Sequence, residues 1–595
     1  RIPEDGHFTE TERETLRQRA SDYAVSPGGE RVALVVRGDL YLIENEAEEG
    51  RTVRLTTHPG RDRDPAWLGD STLVFSSDRD GDYDLYRLEA ADDTVSDPFR
   101  SLTHRVTRLT DTDVPERRPV VSPSGDRVAF VEANASYATA RDRALLVADV
   151  TDAGGLSARR TLLEGWAPAE GVTWSPDGRW LAYSRPDLDF NSEVFVLAAD
   201  GSGEPVNVSQ HPKGDYAPVW SRDGSKLGFL STRNNGDSDV WFAWLREEDW
   251  ERTEEDWELI AEREEEADES EDEEEDGETA ADTVRIDLER IHERLEQVTS
   301  LPGNESDVAV SGDGETFYFV TNRDGRQEFD AEQEIWKARW DGTETEELAA
   351  GGESPADLRL GPEGEHLFYR AEGGTLARVS AESGEEEGLS FAARMEIDHR
   401  EERAQIFDEA WRLLSRNFYD PDFHGDDWEA LRETYRPRAL AASTKRDFRA
   451  AFNRMLGELN SSHQGLYGPD RSETGDEETG LLGVEVDPVE DGVRIERVVP
   501  GSPAHREASR LREGEVITAV GGTPVAEAPN FYALLADRVD RRTILRVRGT
   551  EGTERRVVIR PTGSLSDELY REWVDRRREL TEEYSDGRLG YIHVE

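Results

Sequence analysis

The chain has 595 residues, more than one hydrophobic core usually supports, so several domains are expected. Acidic residues outnumber basic ones 132 to 72, and the resulting net charge of −60 repels nucleic acid and anionic lipid, which excludes both as partners. No apolar run nears the roughly 18 residues of a membrane span, and the absence of Cys excludes disulfides, thiolate zinc sites and a cysteine nucleophile.

The lysines are Lys213, Lys226, Lys337 and Lys445, so arginine carries nearly all the positive charge. A high-GC genome explains the arginine alone. A salt-rich cytoplasm also explains the acidity, because screening over about 3 Å at 1 M salt removes the self-repulsion of a carboxylate-dense surface. The first residue is Arg1 and not Met, and Gly590-Tyr591-Ile592 reads as a strand just beginning, so both ends read as cut. A cytoplasmic location is expected, with a periplasmic one left open because a leader segment is not readable from such a start.

From the amino terminus, one pattern returns seven times: a tight polar turn followed by a short alternating strand. The copies are Ser26-Pro27-Gly28-Gly29, Trp67-Leu68-Gly69-Asp70 (degenerate), Ser122-Pro123-Ser124-Gly125, Ser175-Pro176-Asp177-Gly178, Ser221-Arg222-Asp223-Gly224, Ser311-Gly312-Asp313-Gly314 and Gly361-Pro362-Glu363-Gly364. Pro presets the first turn dihedral and Gly tolerates the positive φ that follows, so each copy reads as a hairpin turn. The turns recur mostly at 40 to 55 residues, the length of a four-stranded blade, which predicts a seven-bladed β-propeller over residues 23–390. The long interval between Gly224 and Gly314 holds the acidic run of residues 246–282, read as a disordered, solvated insertion without the spacing of a calcium loop.

After Glu385 the period becomes helical. Ile406, Ala410, Leu413 and Leu414 mark one apolar face; Trp428, Leu431 and Tyr435 mark a second helix; Phe448, Phe452, Met455, Leu456 and Leu459 mark a third, beginning near Ser443-Thr444. The third runs into Asn460-Ser461-Ser462-His463-Gln464-Gly465. Read alone, a His just past a helix end is a cap or dipole partner more often than a catalyst. The remaining histidines have no metal-ligand spacing, so no metal and no cofactor is expected.

Asn417-Phe418-Tyr419-Asp420-Pro421-Asp422-Phe423-His424-Gly425-Asp426-Asp427-Trp428, followed by Gly457-Glu458-Leu459-Asn460-Ser461-Ser462-His463, resembles the core subdomain of the tricorn and tail-specific peptidase family. The resemblance implies that His463 is the general base and that Ser462 belongs to the catalytic tetrad. In the family the nucleophilic Ser and its Glu lie in a domain after a PDZ domain, which puts them beyond Glu595; consistently, no G-x-S-x-G elbow occurs here.

Gly480-Leu481-Leu482-Gly483-Val484-Glu485-Val486, Val498 to Ala504, Leu511 to Ile517 and Val520 to Val525 resemble a bacterial PDZ domain, with Gly514-Glu515 where the family usually has Gly-Asp. A PDZ domain captures an extended peptide by strand addition; a spacer between catalytic halves is the equal alternative. The expected division is therefore mainly β and multidomain: 1–22 a linker from an upstream domain, 23–390 the propeller, 394–467 a helical core subdomain, 478–563 the PDZ domain, and 564–595 the start of an α/β serine peptidase domain opening with a charged helix over Glu568 to Tyr584. The resemblance implies a serine peptidase acting on oligopeptides, inactive as this chain alone, with peptide substrates and the homo-hexamers that tricorn relatives form. Two alternatives stand beside it: a tail-specific processing peptidase, which the blades disfavour, and a non-catalytic propeller and PDZ binding protein, which Ser462-His463 disfavours.

Overall fold

Each repeat turn joins the first two strands of a four-stranded antiparallel sheet, and seven such sheets form the blades of a propeller around a central channel. This computed structural model describes residues 11–46, 50–92, 94–133, 143–234, 236–253, 256–257, 259–260, 283–322, 333–352, 354–442, 444–468 and 479–593. The blades span residues 20–54, 62–108, 116–165, 170–207, 215–297, 305–349 and 356–389. The turn sequence explains the turn. In five blades the Ser hydroxyl at its head (Ser26, Ser122, Ser175, Ser221, Ser311) accepts the backbone N–H of Arg31, Arg127, Trp180, Lys226 or Thr316 at 2.8–3.0 Å. The closing glycine takes a left-handed φ, from 67° at Gly178 to 78° at Gly364, where a Cβ would be strained.

The core is one apolar cluster per seam between neighbouring blades, built from the alternate faces of their strands. Indole N–H groups tie three seams from backbone to side chain: Trp67 to Ala24 O at 2.9 Å, Trp174 to Val120 O at 2.9 Å and Trp220 to Thr173 O at 3.4 Å. All seven innermost strands carry a bulge. The ring closes between blades 7 and 1 without strand exchange: each blade is made of consecutive strands. The Tyr23 hydroxyl reaches Asp357 O (2.5 Å) and Phe368 O (2.9 Å), and Arg359 donates to Tyr23 O at 2.7 Å. Thr11–Leu16, expected in a linker, is instead a strand paired with Ala393–Asp398; its Leu16 and the alternate residues Ala393, Met395 and Ile397 join the closing cluster, so apolar alternation decided the pairing.

The acidic run begins with order. Glu247–Trp250 is a single helical turn with Asp249 buried between Arg246 (2.5 Å) and Arg252 (2.7 Å), and Trp257 stacks on Trp244 at 5.3 Å. Residues 261–282, the densest part of the expected insertion, lie outside the described residues.

Three helices follow the propeller: α1 (His399–Asn417), α2 (Trp428–Leu440) and α3 (Lys445–Glu458). Asp398, Asp427 and Thr444 cap them by accepting backbone N–H groups of the first turn. Their shared core holds Phe407, Phe418, Trp428, Tyr435, Phe448, Phe452, Met455 and Leu456. The expected face of α1 needs correction: Ile406 and Leu413 are 39% and 60% exposed, and the buried side belongs to Phe407, with Ala410, Trp411 and Leu414. The larger aromatic rings bury more apolar area and set the rotation of the helix.

Residues 469–595 form a second compact unit. Its antiparallel sheet runs Val484–Val489, Gly492–Val498, Val516–Val520, Thr543–Arg548, Glu554–Ile559, with Val484–Val489 at one edge, and encloses its own core. This is the PDZ domain. Helix α4 (Ser566–Tyr584) follows, with Arg497 and Glu572 paired against the sheet. Gly590–Ile592, expected to open a strand, forms none.

Candidate functional site

The loop after α3 presents both sequence-predicted site residues. α3 ends at Glu458, Leu459 is fully buried, and the chain turns through Asn460 (φ 47°) and His463 (φ 59°) in the left-handed region. Ser462 and His463 are exposed neighbours, and among the described residues neither side chain has a hydrogen-bond partner. The imidazole is thus free to meet a group brought to it, but the described residues bring it neither a nucleophile nor an orienting carboxylate.

Both ends of this loop are held. At its start the Leu459 carbonyl accepts from His424 Nδ1 at 2.8 Å, and His424 Nε2 faces the Tyr419 hydroxyl. At its end Asn453, on α3, grips the backbone of Leu466 with both amide atoms: Oδ1 accepts Leu466 N–H at 2.6 Å and Nδ2 donates to Leu466 O at 3.2 Å. Tyr435 donates to Glu458 at 2.5 Å, a bond that pushes the phenol pKa up and fixes the last turn of α3. Tyr419 and His424 stand inside the motif that precedes α2 with no local signal for a part of their own; the His424 contact with the Leu459 carbonyl spans 35 positions in sequence.

The propeller end of α1 forms a second concave region. A cavity of about 600 Å³ is lined by loops of blades 1 and 2 and by Glu402, Gln405, Ile406 and Glu409 of α1. Asp78, almost fully buried, accepts from Gln405 (2.9 Å), Arg412 (2.7 Å) and the Arg61 N–H (2.6 Å), while Arg61 reaches Glu409 at 3.2 Å and Arg416 reaches Asp82 at 2.5 Å. The channel itself holds a cavity of about 650 Å³ between the innermost strands, where Asp22, Asp64, Arg118 and Arg359 meet. Burial pushes the Asp22 carboxyl above its usual range, Arg359 opposes that, and Asp64 adds to it. No group of three or more His, Cys, Asp or Glu among the described residues is placed to hold a metal ion, and no helix among them is long and apolar enough to cross a membrane.

In the PDZ domain, Gly483 (φ 82°) passes so close to Ser502 that an added Cβ would lie 2.1 Å from its Cβ, so only glycine fits this loop. Gly480 N–H is bonded to Leu535 O, and Leu481 exchanges both backbone bonds with Thr562.

A seven-bladed propeller, a three-helix domain followed by an exposed Ser-His pair, and a PDZ domain define a multidomain, mainly β protein. The family model described as "Tricorn protease C1 domain" matches residues 399–457, and "Tricorn protease PDZ domain" matches 480–564. Residues 399–457 and 480–564 thus match tricorn protease domains, and the chain is similar to tricorn proteases. Tricorn protease homolog 1 of Streptomyces coelicolor is 25% identical over 94% of this chain and 54% of its own length. The tricorn protease of Thermoplasma acidophilum is 26% identical over 40% of the chain and 23% of its own length. A crystal structure of the tricorn protease superposes over 100% of the chain and 56% of its own length with a TM-score of 0.75 at 18% identity, which shows the shared fold. The chain spans about half the length of the relatives that it matches most fully.

Proposed function

We propose that this chain is the propeller, C1 and PDZ portion of a tricorn-type serine peptidase that cuts oligopeptides to shorter peptides, with His463 as general base. The observation that carries the reading is the exposed, unpaired His463 on a loop held at both ends, directly after the C1 match. A Ser hydroxyl is a poor nucleophile at neutral pH; an imidazole within about 2.6–3.2 Å takes its proton as the bond to the substrate carbonyl forms and returns it to the leaving amine. His463 is open on one side for such a hydroxyl, and Ser462 beside it orients or polarises without attacking. The nucleophilic Ser and the Glu that steadies the imidazole belong, on this reading, to the domain that follows the PDZ domain in the family.

The test joins this chain to the segment encoded after it and follows cleavage of unstructured peptides. The 595-residue chain alone is expected to cleave none. The longer protein hydrolyses them and is blocked by a serine-directed covalent reagent. In it His463→Ala lowers kcat by about 10³-fold or more, and Ser462→Ala costs less. Wild-type turnover in the His463→Ala protein, or hydrolysis by the isolated chain, overturns the assignment. Size measurement of the longer protein tests the further expectation of a hexamer.

A further inference from the structure

The last carbonyls of a helix have no partner within it, and the residues after it are free to fray unless something takes them. At the end of α3 that something is a side chain from another segment. His424 lies on the turn between α1 and α2, and its Nδ1 sits 2.8 Å from the Leu459 carbonyl, four positions before His463. A carbonyl only accepts, so Nδ1 carries the proton. In the neutral ring Nε2 is then the acceptor that faces the Tyr419 hydroxyl, so the two contacts select the Nδ1–H tautomer.

The turn is built at a cost to hold this ring. Phe423 (φ 48°) and His424 (φ 56°) are consecutive left-handed residues, a conformation that side chains with a Cβ avoid. It is held by Asp420, whose carboxylate accepts from Asp422 N–H and His424 N–H at 3.0 Å each. It is held also by a ladder of rings: Phe418 on Phe423 (5.1 Å, 9°), Phe423 on Trp428 (5.1 Å, 5°) and Trp411 on Trp428 (6.1 Å, 8°). Strain of this kind persists where the surroundings over-determine it, and it points from the outlier to a role. Asn453 secures the opposite end of the same loop at Leu466. His463, itself left-handed, is the middle of a backbone bridge with two fixed piers.

We propose that His424 is a positioning residue for His463: through the Leu459 carbonyl it sets where the imidazole stands, with Tyr419 fixing its tautomer and Asn453 anchoring the far end. The inference rests on the reading of His463 as general base, but its mechanical part concerns the loop alone.

Two measurements separate the two. In the 595-residue chain, amide hydrogen exchange over residues 460–466 is compared between wild type and His424→Ala, His424→Asn and Tyr419→Phe. His424→Ala speeds exchange there while the blades keep wild-type protection. His424→Asn restores slow exchange, since an Asn amide offers a donor near the Nδ1 position and tolerates the left-handed backbone. In the longer protein with its downstream domain, His424→Ala lowers kcat about 10- to 100-fold with KM within about twofold, His424→Asn recovers most of it, and Tyr419→Phe falls between. Unchanged exchange over 460–466 in His424→Ala overturns the proposal whatever the enzyme does. Wild-type kcat in His424→Ala beside an inactive His463→Ala overturns it while leaving the base assignment standing; full turnover in His463→Ala removes that assignment instead. If His424→Ala does not fold, wild-type exchange and kcat in Tyr419→Phe, together with failure of His424→Asn to match wild type, overturn it equally.

Discussion

Glu305 and Asp239 are carboxyl groups buried at the seam of blades 5 and 6 and hydrogen-bonded to each other; Thr299 and Thr321 donate to Glu305 at 2.9 and 3.2 Å. Burial pushes Asp239 up to about 6, and burial with the Asp239 charge pushes Glu305 up to about 7. Both values lie above those of the unfolded chain, so the stability they contribute is full at low pH and is lost as pH rises through about 6 and 7. Replacing Glu305 by Gln keeps the shared hydrogen and removes one charge. Urea unfolding between about pH 5.5 and 8 is therefore expected to lose on the order of 2 kcal/mol less stability in Glu305→Gln than in wild type; parallel pH profiles would refute the shared-proton account. Trp174 makes a simpler case at the neighbouring scale of one bond. Trp174→Phe leaves the Val120 carbonyl without its indole donor and is expected to cost about 1 kcal/mol in the same measurement.

Helix α1 belongs to the C1 domain by sequence but is fastened to the propeller by charge. Asp78 is the hub, taking Gln405, Arg412 and the Arg61 N–H together. Removing a buried partner leaves Arg412 facing a void, so Asp78→Ala is expected to cost about 3 kcal/mol locally, read as faster hydrogen exchange along residues 399–417 with the remaining blades unchanged. Wild-type protection along α1 would show that apolar packing alone seats the helix. The seam of blades 7 and 1 is the other element-scale test. It lacks a shared strand, so Tyr23→Phe, which removes the hydroxyl bonded to Asp357 O and Phe368 O, is expected to increase protease nicking in blades 1 and 7 before the others.

At the scale of the whole chain the net charge of −60 dominates. Many carboxylates are already paired with arginine, among them Asp62 with Arg79 (2.8 Å) and Asp215 with Arg233 (3.0 Å), but the acidic excess leaves a surface that repels itself. The unfolding midpoint is expected to rise steadily between about 0.1 M and 2 M KCl as the screening length shrinks from about 10 Å towards 3 Å. A midpoint independent of salt would leave codon bias as the reason for the composition.

The local signals were the ones that sequence determined by itself. Most of the repeat turns carry their own chemistry, a Ser hydroxyl for the returning N–H in five and a closing glycine for the positive φ in six, so the seven blades are legible in the sequence by their recurrence. Helices marked by Phe448, Phe452 and Met455 were legible for the same reason, as period and cap lie within one stretch of chain. The proposed role of His463 rests on its motif, since a lone histidine after a helix has no chemistry written in its neighbours. What tertiary structure decided were the contacts between distant stretches. It chose which face of α1 is buried, paired Thr11–Leu16 with Ala393–Asp398, closed the ring through Tyr23, and set His424 against the Leu459 carbonyl. Each depends on the packing of side chains whose positions are fixed only once the whole chain has folded, and no periodicity in one segment encodes the partner that another segment supplies.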